Sequence, residues 1–184
     1  GLGQPGVRRR GEDDFRYATA DGVLAQFEGQ VVSGYYEDKV DVCIRNPRFE
    51  DAIAGAATNW TASNLSLSTD STNHRSGNQA LGITVSSNNG TITQRYGGSS
   101  TPFRSKSITL RAYIKRLTGS GTVRANLIDS AGTTNGSTSS ATSYAQIEVT
   151  RTINSGATTI DFQFEFSNAT DTWVIDDASL QLPG

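Results

Sequence analysis

Ile160-Asp161-Phe162-Gln163-Phe164-Glu165-Phe166 decides the fold. Apolar and polar residues alternate without a break, and a period of two puts successive side chains on opposite faces of a strand. The isoleucine and three phenylalanines form a face that needs a core, while Asp161, Gln163 and Glu165 face water or a ligand. Residues 107–117 alternate in the same way. Ile108, Leu110, Ala112 and Ile114 lie on one side, and Thr109, Arg111, Tyr113 and Lys115 on the other. Residues 122–128 repeat the pattern with Val123, Ala125 and Leu127. Further strands are expected over 81–85, 91–96, 144–153 and 172–182. No segment sustains a 3.6-residue period. Asn89-Gly90 separates two of these strands and suits a type I′ hairpin, since both residues tolerate positive φ. Residues 129–142, with Gly132 and Asn135-Gly136, read as a polar loop. The pattern predicts an all-β jelly roll, a β-sandwich of two antiparallel sheets over residues 46–184.

Composition agrees with that class. The 184 residues are 35% hydrophobic, enough for a sandwich whose sheets each keep one wet face. A net charge of −2 gives no field that would draw nucleic acid. The Arg8-Arg9-Arg10 cluster is cancelled locally by Glu12-Asp13-Asp14. The single cysteine, Cys43, rules out an intrachain disulfide and sits in an apolar run as a small hydrophobe. No apolar stretch approaches membrane-spanning length, so no membrane insertion is expected, and no signal-peptide hydrophobic region stands near the start. The chain begins with Gly1 and holds no Met. Either an initiator Met was removed or a longer chain was cut.

Residues 1–45 differ in character from the rest of the chain. Three glycines in the first six positions, Pro5 and the opposed charge triplets that follow read as an extended arm over the first twenty residues. Residues 22–45 alternate as two or three short strands around Gly29 and Gly34, a ribbon that needs a partner sheet. Its Val23, Phe27, Val31, Tyr35 and Tyr36 offer more apolar surface than a free tail would keep. The expectation is an attachment or oligomerisation segment that docks by strand addition, on capsid or tail proteins or on a sister subunit in a dimer or trimer.

Within residues 46–182, five stretches carry a family resemblance. Asn46, Phe49 and Glu50 form an Asn-x-x-Phe-Glu opening strand, followed by Trp60. Ser76, Gly77, Ala80 and Leu81 match a Ser-Gly-x-x-Ala-Leu strand. Leu110, Ala112, Tyr113 and Lys115 match a central strand. Ile175, Asp176, Asp177 and Leu180 match the closing one. Together they resemble the jelly-roll carbohydrate-binding modules that bind xylan and β-glucan, within the galactose-binding-like group. The resemblance implies a core position for Trp60. It also implies a structural Ca²⁺ on Glu50 and Asp176 or Asp177, with carbonyls of Ser76-Gly77. Arg48, Arg75 or Arg104 could supply a cation instead.

Catalysis finds little support. Adjacent strand residues such as Asp176 and Asp177 are expected on opposite faces and cannot flank one bond. Asp161 and Glu165 share a face, but a glycosidase pair needs an enclosing cleft and one acid of raised pKa. His74 is the lone histidine, in a polar loop. No catalytic residue is assigned. For a surface glycan, Tyr96, Phe103, Tyr113 and Tyr144 remain as stacking platforms, with Tyr113 flanked by Arg111 and Lys115 the first choice. The reading is a non-enzymatic structural or adhesive component of a larger assembly, a phage virion protein of capsid-decoration or tail-fibre type. The alternative is a carbohydrate-binding module of a secreted polysaccharide-degrading enzyme or surface adhesin.

Overall fold

The computed structural model describes residues 44–53, 55–96 and 101–182. The residues expected to serve attachment, Val23, Phe27, Val31, Tyr35 and Tyr36, like Cys43, lie outside this range. Twelve strands form among the described residues. They are β1 (Ala52–Ile53), β2 (Ala56–Ala57), β3 (Thr61–Ser63), β4 (Leu65–Asp70), β5 (Ala80–Val85), β6 (Gly90–Tyr96), β7 (Ser107–Thr118), β8 (Val123–Asp129), β9 (Gly132–Asn135), β10 (Ala145–Thr152), β11 (Ile160–Phe166) and β12 (Thr172–Gln181). The first sheet runs β10-β7-β12-β5-β4 and the second β3-β6-β11-β8-β9, both antiparallel; β1 and β2 pair alone. This is the expected jelly-roll sandwich. The only helical element among the described residues is a 3-10 turn, Thr101–Phe103, so none of them forms a helix able to cross a membrane.

The core is what the alternation predicts. Ile160, Phe162, Phe164 and Phe166 of β11 are fully buried, as are Ile108, Leu110, Ala112 and Ile114 of β7. Trp60 packs its ring 5.3 Å from Phe49 and 5.9 Å from Phe164. Trp173 lies 5.6 Å from Phe166. Each large apolar side chain removed from water stabilises the sandwich by about 1.5–3 kcal/mol.

An ion pair closes one end of that core. Arg151 shares the inward side of β10 with Ile147 and Val149, and donates from Nη2 and Nε to the two carboxylate oxygens of Asp129 at 2.8 and 3.0 Å. Ala131, Gly132 and Asn154 add backbone N–H donors. The Arg151 guanidinium and these donors hold the Asp129 carboxyl well below its usual range against the opposing effect of burial.

Two local expectations need correction. Asn89 does adopt positive φ, 61°, but Asn89-Gly90 is no hairpin. β5 pairs with β4 and β12, and β6 with β3 and β11, so the turn carries the chain from one sheet to the other. Its N–H groups are spent on other loops: Ser86 and Ser87 donate to Asn64 O, and Asn89 donates to Ser167 O. Second, the loop expected over 129–142 contains β9. The Asp129 carboxylate accepts from Ala131 and Gly132 N–H and makes the reversal tight, so Gly132–Asn135 returns along β8.

The chain enters the sandwich through residues 44–50. Ile44 and Phe49 are buried in the core. Arg45 N–H donates to Gln94 Oε1 at 2.7 Å, and its carbonyl accepts from Gln94 Nε2 at 2.9 Å. Ala178 N–H donates to Pro47 O at 2.8 Å, which ties the same segment to β12.

Candidate functional site

The two outer faces differ in what covers them. On the first sheet, residues 71–79 fold back over the strands. Asn73 is a fastening point: its carbonyl accepts from Tyr144 Oη, its Oδ1 accepts from Lys115 Nζ at 3.0 Å, and its N–H and Nδ2 donate to Asp70. Burial is the main cause pushing the Tyr144 hydroxyl pKa up, with the charge of Asp176 second. Arg75 lays its guanidinium 3.4 Å from the centroid of Tyr113. Arg111 is held by Glu148 Oε1 at 2.8 Å and by Gln181 Oε1. Arg111, Tyr113 and Lys115 do share a face, but each is engaged within the protein, and Arg75 occupies one face of the Tyr113 ring. Phe103 is buried, with Tyr96 packed edge-on 5.0 Å away. Among the described residues no aromatic side chain is exposed.

Glu50, Asp176 and Asp177 converge on residues 75–79, as the resemblance implied. Asp176 and Asp177 do not point to opposite faces of a regular strand, however. The register against β7 breaks between Asp176 and Ser179, and Asp177 takes φ 50°. That bulge turns both carboxylates to the same loop. Asp176, fully buried, accepts from the N–H of Arg75 at 2.9 Å, Ser76 at 3.1 Å and Asp177 at 2.9 Å. Asp177 accepts from Arg75 Nη1 at 2.7 Å and Ser76 Oγ at 2.5 Å. Glu50 accepts from Asn78 N–H at 2.9 Å and Gln79 N–H at 3.3 Å, and lies so close over Gly77 that a Cβ there would sit 2.4 Å from Oε2. Burial pushes the Asp176 carboxyl pKa up; the N–H donors oppose it.

This donor set does not fit Ca²⁺, which needs six to eight oxygen ligands. The loop turns N–H groups toward the carboxylates, and Arg75 brings the cation. Among the described residues no group of three or more His, Cys, Asp or Glu side chains is placed to hold a metal. His74 is exposed on the same loop.

The second sheet presents side chains in rows. Strand register brings Thr61, Thr93, Gln163, Asn126 and Asn135 into one line across β3, β6, β11, β8 and β9. At about 4.8 Å per strand, the row spans roughly 19 Å. It holds only hydroxyl and amide groups. Asn126 Nδ2 donates to Gln163 Oε1 at 2.9 Å, and Gln163 Nε2 donates to Thr93 Oγ1 at 3.2 Å. Ion pairs flank it. On one side Arg95 holds Asp161 through two bonds of 2.7 and 2.9 Å; on the other Arg124 holds Glu165 at 3.0 Å. Asp161, Gln163 and Glu165 were legible as an outward face in the sequence. Thr93, Asn126 and Asn135 were not, because register alone brings them alongside.

No family model matches the chain, and no curated protein matches it. Solved structures do. The chain is similar to the C-terminal family 22 carbohydrate-binding module of Clostridium thermocellum xylanase 10B, at 16% identity and TM-score 0.59, covering 75% of this chain and 91% of that one. It is similar to the family 61 module TmCBM61, solved with β-1,4-galactotriose, at 17% identity and TM-score 0.58, covering 77% and 98%. It is also similar to part of the enzymatically active domain of tailspike protein 4 of bacteriophage CBA120, at 14% identity and TM-score 0.57, covering 77% of this chain and 21% of that one. The described residues thus have the jelly-roll fold of carbohydrate-binding modules.

Proposed function

We propose that this jelly roll is a non-catalytic, glycan-contacting module of a larger assembly, and that the outer face of the second sheet is its contact surface. The observation that carries the reading is the row Thr61, Thr93, Gln163, Asn126 and Asn135, bracketed by two ion pairs. Hydroxyl and amide groups can both donate and accept, which suits a polyhydroxyl ligand. The hydrogen bonds that link Asn126, Gln163 and Thr93 hold those three in place before a ligand arrives, which lowers the ordering cost of binding. Family 22 modules of like fold described as xylan-binding, and the galactotriose-bound module, support the ligand class. The test is calorimetric titration of the full chain with xylohexaose, β-1,4-galactotriose and a wider set of soluble glycans. Binding is expected, and Gln163→Leu should weaken it about tenfold while leaving the melting temperature within a few degrees. Silence across the whole set overturns the reading.

The assembly is the second half of the proposal. The likeness to a tailspike segment favours a virion, and the likeness to xylanase modules favours a secreted enzyme. In either setting residues 1–43 would supply the attachment and the jelly roll the adhesion. A chain beginning at Ile44 should keep glycan binding and lose assembly, read by light scattering beside the full chain. Unchanged assembly without residues 1–43 removes the attachment role.

A further inference from the structure

Asn126 stands in the middle of β8 and is 2% exposed, although it faces away from the sandwich core. The orientation of its amide is dictated by its neighbours. Nδ2 donates to Gln163 Oε1 at 2.9 Å and to Glu165 Oε1 at 3.0 Å. Glu165 is itself pinned by Arg124, whose Nε and Nη2 each lie 3.0 Å from Oε1. A reversed amide would set Oδ1 against two acceptor oxygens, so only the observed orientation is satisfied on the β11 side.

The consequence is an orphan. Asn126 Oδ1 is buried and accepts no hydrogen bond from the described residues. The large majority of buried polar side-chain atoms in native proteins have a hydrogen-bond partner, so an exception calls for an explanation, such as a water, an ion or another donor that completes it. The row also has a direction. Asn126 donates to Gln163, and Gln163 donates to Thr93. A chain of hydrogen bonds polarises along its length, so a donor at its head strengthens the bonds behind it. The head of this chain is Asn126 Oδ1.

Among the described residues, elimination leaves one side of Asn126 for an approach. Gln163 and Glu165 fill the β11 side, and Arg124 and Ile128 are the neighbours on the same face along β8. The remaining side is β9, where Asn135 is the register partner of Asn126. Asn135 is exposed and stands on the edge strand, with no further strand of the sheet beyond it among the described residues.

The flanking charges narrow the ligand class. Arg95 is closed on Asp161 and Arg124 on Glu165, two positive and two negative groups paired among themselves. An anionic ligand meets no free cation in these rows and a cationic one no free carboxylate.

We infer that Asn126 Oδ1 is a specificity-determining acceptor for one hydroxyl of a neutral glycan, which enters past Asn135. This rests on the glycan-contact reading above and deepens it. The experiment uses the full chain, with xylohexaose and β-1,4-galactotriose as neutral probes and oligogalacturonate as an anionic one. Calorimetry gives affinity, and NMR follows the side-chain amide of Asn126 in the unmodified protein. On saturation with a neutral probe, the Asn126 amide resonance should shift, because a donor at Oδ1 polarises the whole amide. Asn126→Leu should bind about tenfold or more weakly. The NMR measurement needs no variant, so a poorly folded Asn126→Leu does not decide the matter. No binding of any probe removes the glycan reading itself. Binding with an unmoved Asn126 resonance overturns this inference and leaves that reading standing. A water that stays on Oδ1 with and without probe overturns it too, and equal affinity for oligogalacturonate overturns the neutral ligand class.

Discussion

The first sheet's outer face is covered by residues 71–79, while the second sheet's is left as ordered rows of side chains. Both faces are polar, and both carry arginines and carboxylates. The difference lies in where the hydrogen bonds go. On the first sheet, beside cross-strand bonds such as Arg111 to Glu148, a set runs from strand to loop: Asp176 to Arg75 and Ser76, Lys115 and Tyr144 to Asn73. On the second they run between neighbouring strands: Arg95 to Asp161, Asn126 to Gln163, Arg124 to Glu165. Bonds of the first kind fasten a cover. Bonds of the second kind stiffen a surface.

The contrast can be broken most forcefully at Asp176. Asp176→Ala strands the buried N–H groups of Arg75, Ser76 and Asp177, each a penalty of about 1–3 kcal/mol when unmet. A total loss of about 2–4 kcal/mol is expected by urea denaturation, since the loop can relax and hydrate part of the deficit. A loss under about 0.5 kcal/mol would mean the cover is not held there. The pH dependence has a definite sign. Burial raises the folded pKa above the ordinary 3.8, so the folded protein keeps a proton that the unfolded chain has released. Stability declines as pH rises through the window that starts near 3.8, and Asp176→Asn removes that decline. Asp129 behaves in the opposite sense: its depressed pKa contributes stability above 3.8 that is lost as pH falls.

A smaller effect is expected from Arg75→Ala, which removes the guanidinium from Tyr113 and the ion pair with Asp177. A loss of about 1–2 kcal/mol is expected. The Tyr113 ring then becomes open to solvent, measurable as faster quenching of tyrosine fluorescence by acrylamide. Unchanged quenching would mean that something other than Arg75 shields the ring. The least effect should come from metal. Chelation or added calcium should move the melting temperature by less than about 1 °C, because no ligand bound only by the folded state is gained or lost. A larger shift would establish a calcium site and overturn the account of Arg75 as the local cation.

Much of the fold was legible because burial imposes a period of two. β11 follows that period throughout and β7 as far as Ile114, and the burial of Trp60 agrees with the family resemblance. What escaped the sequence depends on chain reversal and register. Asn89-Gly90 announces positive φ, but the residues alone do not say whether the turn joins neighbours or crosses between sheets. β9, Gly-Thr-Thr-Asn, has no apolar residue to mark it. The bulge at Asp177 breaks the period that placed Asp176 and Asp177 on opposite faces. The same limit applied to the candidate site. Asp161, Gln163 and Glu165 could be assigned outward from one strand, yet the row needs four further strands to exist.

The entry segment has a mechanical consequence. Any pull on residues preceding Ile44 reaches the sandwich at a stretch fixed to both sheets, by Gln94 on β6 and by Ala178 on β12, with Ile44 and Phe49 embedded between them. Such a load is shared by bonds to both sheets and by the two embedded side chains.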